Sequence, residues 1–365
     1  MTIFVMLIFV IMNAILETKR KSLGIKVFEL ANQLGVDASL MSRILAEKRE
    51  PSNEQLRQLS QILSIDYNEL IKEKMERKIL AVLKEYPEFA DEVIQTVSEE
   101  RIQYLTSNKR LETIDTSSLS EDLSNISHQQ QKWSQRKPLN TLQLNKMLEY
   151  FHTEYTYESN MIEGNTLDFQ ETHLVVNEGI TIGGKTIREH LEAINHQEAI
   201  GFIVDLVARK VDFSESILKQ LHQLILKGIH RDGAGVYRSV QVRISGSKHI
   251  PPESYLLNGL MDDYFRFYHF QKTRLHPVIL AAEMHERLVT IHPFIDGNGR
   301  TSRLVMNLIL LQHGYPIVSL KGDLAERQRY YKALEAVQMN HDSTDFYRLI
   351  VERTEYSLDQ HLALT

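Results

Sequence analysis

His292-Pro-Phe-Ile-Asp-Gly-Asn-Gly-Arg-Thr-Ser-Arg303 is the stretch whose reading decides the fold. It places a base that titrates near neutral pH, a carboxylate, two glycines, an amide and two guanidiniums within one short segment. Apolar residues at helical spacing run from Pro277 to Ile291 before it and from Leu304 to Leu311 after it. The stretch therefore reads as a loop between two helices that ends at a helix N-terminus. Gly297-Asn298-Gly299 frees the backbone to turn its N–H groups toward one point, and the following helix adds the positive end of its dipole. That is a phosphate cradle, with Thr301 and Ser302 in its first turn. Arg300 and Arg303 are spaced to share a helix face and to grip phosphate oxygens with planar forks. Asp296 is a hard oxygen ligand where a magnesium ion shared with the phosphates would sit. His292 is the candidate base. A bare helical corner with Asn-Gly as its turn would leave the base, the carboxylate and both arginines unexplained.

These residues resemble the Fic (filamentation induced by cAMP) family, whose motif is His-Pro-Phe-x-Asp/Glu-Gly-Asn-Gly-Arg-x-x-Arg. Every fixed position is filled, and the likeness runs from about Trp133 to Tyr356. The resemblance implies a protein adenylyltransferase with ATP as co-substrate and magnesium. His292 would deprotonate a hydroxyl on a target protein, which attacks the α-phosphate of ATP; AMP is transferred and pyrophosphate leaves. A kinase branch of the family carries Lys where this chain has Gly299, so kinase chemistry is not expected. Removal of AMP from a modified protein is an alternative direction. A DNA-binding regulator that only senses nucleotide is another reading, and the intact His292 and Asp296 speak for the enzyme.

The chain has 365 residues, enough for two or three domains, with 25% charged and 42% hydrophobic residues, as in ordinary soluble proteins. A net charge of −6 gives no global attraction to nucleic acid. Absence of cysteine excludes disulfides and thiolate metal sites and fits a reducing cytoplasm. Residues 1–16 form an apolar leader with an unbroken run from Ile3 to Met12. It is short for a membrane span and lacks the flanks of a signal peptide; a membrane anchor with the Lys19–Lys21 cluster inside and a core helix end are alternatives, a mis-set start at Met12 is the preferred reading, and no membrane partner is expected.

Residues 17–75 carry a second pattern. Val27 to Leu34 is amphipathic, Gly35 permits a left-handed cap, and Asp37 can cap a helix from Ala38 to Ala46. Leu30, Ala31, Leu34, Gly35, Val36, Ser42 and Arg43 resemble the helix-turn-helix of phage-repressor-type regulators. The resemblance implies DNA as a partner, bound by a dimer, with Ala38, Ser39 and Ser42 toward base edges and Arg43 toward phosphate. Ten Lys/Arg stand against nine Asp/Glu from Glu17 to Lys74, which is no basic footprint. Residues 76–132 read as a helical connector, broken at Pro87, and a polar linker from Thr106 to Gln131.

Residues 133–365 then form the core. A helix at 145–164 ends in Ser159-Asn-Met-Ile-Glu163-Gly164-Asn165, with Ser159 and Glu163 on one face. Beside the core this resembles the family's inhibitory motif, which implies that Glu163 pairs with Arg303 and blocks the γ-phosphate. Gly235 to Ile244 has period two and reads as the first strand of a hairpin. By resemblance the hairpin is a flap over the site, bringing Gly246, Ser247, Lys248 and His249 near the nucleotide. Tyr330, Tyr331 and Gln338 would wall an adenine pocket. Glu192, Asn195 and His196 read as interhelical ties, and His222, His230 and His276 as structural. The expected fold is mainly α: a small helix-turn-helix domain, then a Fic core of about eight helices with a β-hairpin flap.

Overall fold

The structure, a computed structural model, describes residues 12–46, 48–95, 114–136, 141–244 and 246–364. It divides into two compact units, Met1–Glu112 and Thr113–Thr365. Most of the apolar leader, part of the linker and Ser245 lie outside the described residues. Among the described residues, no helix is long and apolar enough to cross a membrane.

The first unit contains α1 (Met12–Ser22), α2 (Val27–Leu34), α3 (Ala38–Leu45), α4 (Asn53–Leu63) and α5 (Tyr67–Glu85). The starts of α3 and α4 have a local cause. The Asp37 carboxylate accepts from the Leu40 N–H at 2.7 Å, and Ser52 and Gln55 form a reciprocal capping box. The apolar stripes meet in one core built on Leu16, Leu30, Met41, Ile44, Leu56 and Leu59. α5 ends before Pro87, as the sequence requires.

The second unit holds α6 (Ser120–Gln135), α7 (Thr141–Ile162), α8 (Phe169–Asn177), α9 (Ile187–Ala208), α10 (Glu215–Ile225), α11 (Leu257–Gln271), α12 (Pro277–Ile291), α13 (Asn298–Gln312), α14 (Leu324–Asn340) and α15 (Thr344–Ala363). Among the described residues α7 to α15 make nine α-helices within 133–365, close to the eight or so that the resemblance implied. α12 and α13 are buried almost all round, which marks them as the central pair. α12 packs along α13 and against α11, α14 and α15; α13 packs against α7, α9 and α10. The loop between the two central helices is therefore held on several sides.

Two expectations are corrected. The polar linker does not extend to Gln131, because α6 occupies Ser120–Gln135 and packs against α15. Its Leu123, Ile126 and Trp133 fall on one buried face, and the Ser, Gln and Asn residues that suggested a linker cover the rest. Nor is there a β-hairpin: no strand occurs among the described residues. The 235–252 segment is held by side chains instead of a ladder. Arg238 donates to Val240 O and Pro252 O, and Gln241 donates to Pro251 O. The period-two pattern marks neither strand pairing nor burial here, since Val236 and Val240 are exposed and Arg238 is buried.

Candidate active site

The loop begins where α12 is forced to stop. Pro293 disfavours helical geometry at the residue before it, and His292 adopts the left-handed region at φ 51°, ψ 57°. Its backbone N–H still donates to Leu288 O at 2.9 Å. Nδ1 lies 3.3 Å from Val289 O, which can only accept, so Nδ1 carries the proton and Nε2 keeps its lone pair. Burial, aided by Arg238, pushes the His292 imidazolium down to about 4, while Glu163 opposes the shift. The ring is neutral at physiological pH.

Phe294 anchors the loop. It is fully buried and stacks on His222 with ring centroids 3.6 Å apart, a burial that contributes about 2–3 kcal/mol. The Asn298 side chain braces the turn from both ends: Oδ1 accepts the Phe294 N–H at 3.0 Å and Nδ2 donates to Phe294 O at 2.9 Å. His222 Nε2–H donates to Asp296 O at 2.8 Å, and its Nδ1 accepts the Gly235 N–H at 2.8 Å. These partners fix its tautomer, and burial pushes its imidazolium down to about 4. Sequence spacing gave His222 no role beyond structure, and the structure makes it a clamp on the loop.

α13 starts at Asn298, earlier than the apolar pattern suggested, after Gly297 turns the chain at φ 73°. The motif arginines are thus helical, but they face different neighbours. Arg300 lies 3.3 Å from Glu192 Oε1 and 3.7 Å from Asp296 Oδ1. Arg303, only 1% exposed, donates from Nη2 to Glu163 Oε1 at 2.6 Å and to Ser159 O at 2.9 Å, and from Nε to Ser159 Oγ at 2.9 Å. Burial works against its charge, but Glu163, with Tyr330 and Tyr155, raises the guanidinium above its ordinary value. Nη1 is buried without a hydrogen-bond partner. Thr301 and Ser302 are buried, and the Ser302 hydroxyl donates back to Asn298 O at 2.6 Å.

Glu163 comes from the turn after α7, where Gly164 adopts φ 92°. Its approach to the cradle is close: a Cβ on Gly299 would lie 2.3 Å from Glu163 Oε1. Asn165 ties this turn to α9 through Glu189 O and Glu192 Oε2. Asp296 accepts the Gly297 N–H at 2.6 Å and a hydrogen bond from Arg188 at 2.8 Å. Burial pushes its carboxyl up, but Arg300, the Gly297 N–H and Arg188 together hold it below the usual carboxylate range.

The remaining candidates are spread around this centre. His249 lies against the end of α12, 2.9 Å from Thr290 O, and Lys248 pairs with Glu335 of α14 at 3.1 Å. Gly246 turns the segment at φ 78°, and the Ser247 hydroxyl accepts the His249 N–H. Tyr330 is buried with its hydroxyl 3.1 Å from His285, whereas Tyr331 is 46% exposed and donates to Ile162 O at 3.0 Å. Gln338 is half-buried on α14. Among the described residues, no group of three or more His, Cys, Asp or Glu could hold a metal alone.

Residues 212–310 match the Fic/DOC family. The chain carries a Fic domain. Curated proteins named protein adenylyltransferase Fic are 36% identical over 234 residues in Nematostella vectensis (62% of this chain, 53% of that one) and 33% identical over 275 residues in Drosophila yakuba (75% and 50%). The chain spans about half the length of the curated relatives it matches. A Fic domain-containing signaling protein from Bacteroides thetaiotaomicron superposes with a TM-score of 0.60 at 27% identity, over 66% of this chain and 97% of that one. The Fic-1 structure from C. elegans, residues 134–508, superposes with a TM-score of 0.60 at 22% identity, over 96% and 98%, and shares the fold. Within the Fic domain, then, the loop after α12 and the start of α13 are the motif His292–Arg303.

Proposed function

We propose that this chain is a protein adenylyltransferase that transfers AMP from ATP to a hydroxyl side chain of a target protein, and of itself, and that Glu163 restrains it. One observation carries the reading: a neutral His292 stands beside the N-terminus of α13, whose Arg303 is captured by Glu163. His292 Nε2 takes the proton of the incoming hydroxyl. The oxygen forms a bond to the α-phosphorus, the bond from that phosphorus to the bridging oxygen breaks, and pyrophosphate carries away the electron pair. The Gly297-Asn298-Gly299 amides and the helix dipole hold phosphate oxygens, and Arg303 takes the γ-phosphate once freed. Asn298 and Phe294 keep the loop in shape. Arg300 braces Asp296 against α9.

Asp296 is a fitting magnesium ligand of the shared kind, since Mg²⁺ takes one or two carboxylates and fills the rest of its shell with phosphate and water. When bound, the ion neutralises charge on the phosphates and the departing pyrophosphate. Tyr331 and Gln338 face the adenine, with Tyr330 supporting them from the core. Gly246, Ser247, Lys248 and His249 close over the nucleotide. The chain around Val240 and Ile250, both half in solvent, takes a target segment by strand addition. A reducing, cytoplasmic setting suits a chain without cysteine.

The test uses Glu163→Gly protein with ATP labelled at either the α- or the γ-phosphate. Label from the α-phosphate should appear on the protein and on substrate bands of a lysate. Transfer of γ-label alone would overturn the reading.

A second reading concerns the first unit. Ala38, Ser39, Ser42 and Arg43 are all exposed on α3 while Met41 and Ile44 are buried, so one face of the helix is free to meet DNA as a dimer. A gel shift with the gene's own upstream duplex should show binding with steep salt dependence. No shift with any duplex at low salt would leave a structural module.

A further inference from the structure

Arg238 stands outside the motif, in Gly235-Val-Tyr-Arg238, and only 6% of it is exposed. Its Nε donates to His292 O at 2.9 Å, Nη1 to Val240 O at 2.9 Å and to Gln241 Oε1 at 3.2 Å, and Nη2 to Pro252 O. Its backbone N–H donates to Pro293 O at 2.9 Å. Each of these acceptors is an uncharged carbonyl. A buried guanidinium spent on peptide oxygens is unusual, because arginines this deep normally face a carboxylate. The three anchor points also belong to separate pieces of chain: the His292 loop, the arm at 240–241 and the arm at 251–252.

His292 is one of few non-glycine residues with positive φ among the described residues. Such a conformation persists only where the surroundings over-determine it. Arg238 supplies that constraint from the carbonyl side, holding the peptide oxygens of His292 and Pro293 together. We propose that Arg238 is a positioning residue that locks His292 in its left-handed conformation and couples it to the segment that receives the target. This rests on the adenylyl-transfer reading. A target seated along 240–250 pulls on the same fork that aims the base. The planar fork matters, since an ammonium cannot span three separate carbonyl sites.

The experiment measures auto-labelling from α-labelled ATP by Glu163→Gly protein with and without Arg238→Lys or Arg238→Gln, at varied ATP and pH. Arg238→Lys should lower the maximal rate by about 100-fold while the half-saturating ATP changes by less than about 3-fold, because the base is displaced and the cradle is not. The pH profile separates charge from position. The groups facing His292 are Arg238, His249 and, in wild type, Glu163. Arg238→Lys keeps the cation and should keep the acid midpoint; Arg238→Gln should move it upward, toward that of an ordinary histidine. If Arg238→Lys does not fold, Gln241→Leu, a change at an exposed position, should lower the maximal rate by about 10-fold at unchanged ATP half-saturation. A maximal rate within about 3-fold of the parent in whichever variant folds, or equal losses of rate and ATP affinity, would overturn the inference. Absence of α-label transfer by the Glu163→Gly parent would remove the adenylyl-transfer reading as well.

Discussion

The Glu163 carboxylate accepts from Arg303 Nη2 at 2.6 Å, and the guanidinium it holds is 1% exposed while the carboxylate side chain is 35% exposed. The pair is therefore asymmetric. Arg303 is fixed by Ser159 as well as by Glu163, so the movable partner is the glutamate. Ser159 holds the fork in place whether or not Glu163 is present.

Removing the carboxylate should switch the enzyme on. On the adenylyl-transfer reading proposed above, Glu163→Gly would free Arg303 for the γ-phosphate and delete a negative charge from the path of the polyphosphate. A displaced phosphate chain can lower the rate by about 100-fold, so auto-labelling should rise by that order. Arg303→Ala should not reproduce the gain, because it deletes the phosphate partner too. Wild-type labelling equal to that of Glu163→Gly would reduce the α7 terminus to scaffold.

Gly299 gives an independent test of the same contact. A Cβ there would meet Glu163 Oε1 at 2.3 Å and Arg303 Nη1 at 3.2 Å. Gly299→Ala must push the carboxylate aside, which breaks a charged hydrogen bond to a buried guanidinium and costs about 1 kcal/mol after allowing for the exposed partner. In the Glu163→Gly background the 2.3 Å contact is gone and only the 3.2 Å contact with Arg303 Nη1 remains, so Gly299→Ala should cost less there, offset further by the better helix propensity of Ala. The two substitutions should therefore be non-additive, with Gly299→Ala costing less in the Glu163→Gly background than in the wild type. Denaturant melts of the four proteins measure this directly, and simple additivity would show that Glu163 is not seated on Gly299.

Stability should fall as the solution is acidified through the histidine range. His222 and His292 are pushed from 6.5 to about 4 by burial. Between those values the unfolded chain binds protons that the folded chain does not, so the free energy of unfolding rises with pH and is lost as pH drops from 6.5 toward 4. Each histidine contributes up to about 3 kcal/mol over that window. Thermal melts from pH 7 to pH 4 should show the decline, and His222→Gln should flatten the slope by close to one proton. The rate constant at limiting ATP should show no His292 inflection between pH 6 and 8, since the base is already neutral there. An inflection near 6.5 in that rate constant would contradict the assigned environment.

The parts of the site legible in the sequence were those carried by contiguous residues. His292 to Arg303 stand together in the chain, and the helices on both sides have long apolar patterns, so the loop and its helix could be placed from composition and spacing. The Glu163–Arg303 pair was reached through a resemblance, because nothing in the spacing of residues so far apart brings them together. Arg238, His222 and Arg188 were missed or given only structural roles. Each acts through backbone carbonyls or a single carboxylate, contacts that leave no periodic or compositional trace. The hairpin was misread for a related reason. Alternation from Gly235 to Ile244 suggested a strand, but Val236 and Val240 face solvent, Arg238 is buried, and the backbone is tied by Arg238 and Gln241 instead of by a neighbouring strand.

The Asp296–Arg188 ion pair sets the last prediction. Arg188 Nη2 lies 2.8 Å from Asp296 Oδ2 and its Nε lies 3.0 Å from Glu192 Oε1. Asp296 Oδ1 is already taken by the Gly297 N–H. A cation drawn to Asp296 must therefore compete with Arg188 for Oδ2. The arginine side chain is 58% exposed, so the contact is solvent-screened and readily given up. Arg188→Gln, made in Glu163→Gly protein, should lower the magnesium concentration for half-maximal labelling several-fold and leave the maximal rate near that of the parent, because Arg300 still braces the carboxylate. Binding of Mn²⁺ in the presence of ATP, followed by electron paramagnetic resonance, should tighten by the same factor without any turnover. Asp296→Asn should weaken Mn²⁺ binding instead. If Arg188→Gln leaves both the magnesium requirement and Mn²⁺ affinity unchanged, Arg188 does not contend for the carboxylate, and its bridge to Asp296 only fastens α9 to the loop.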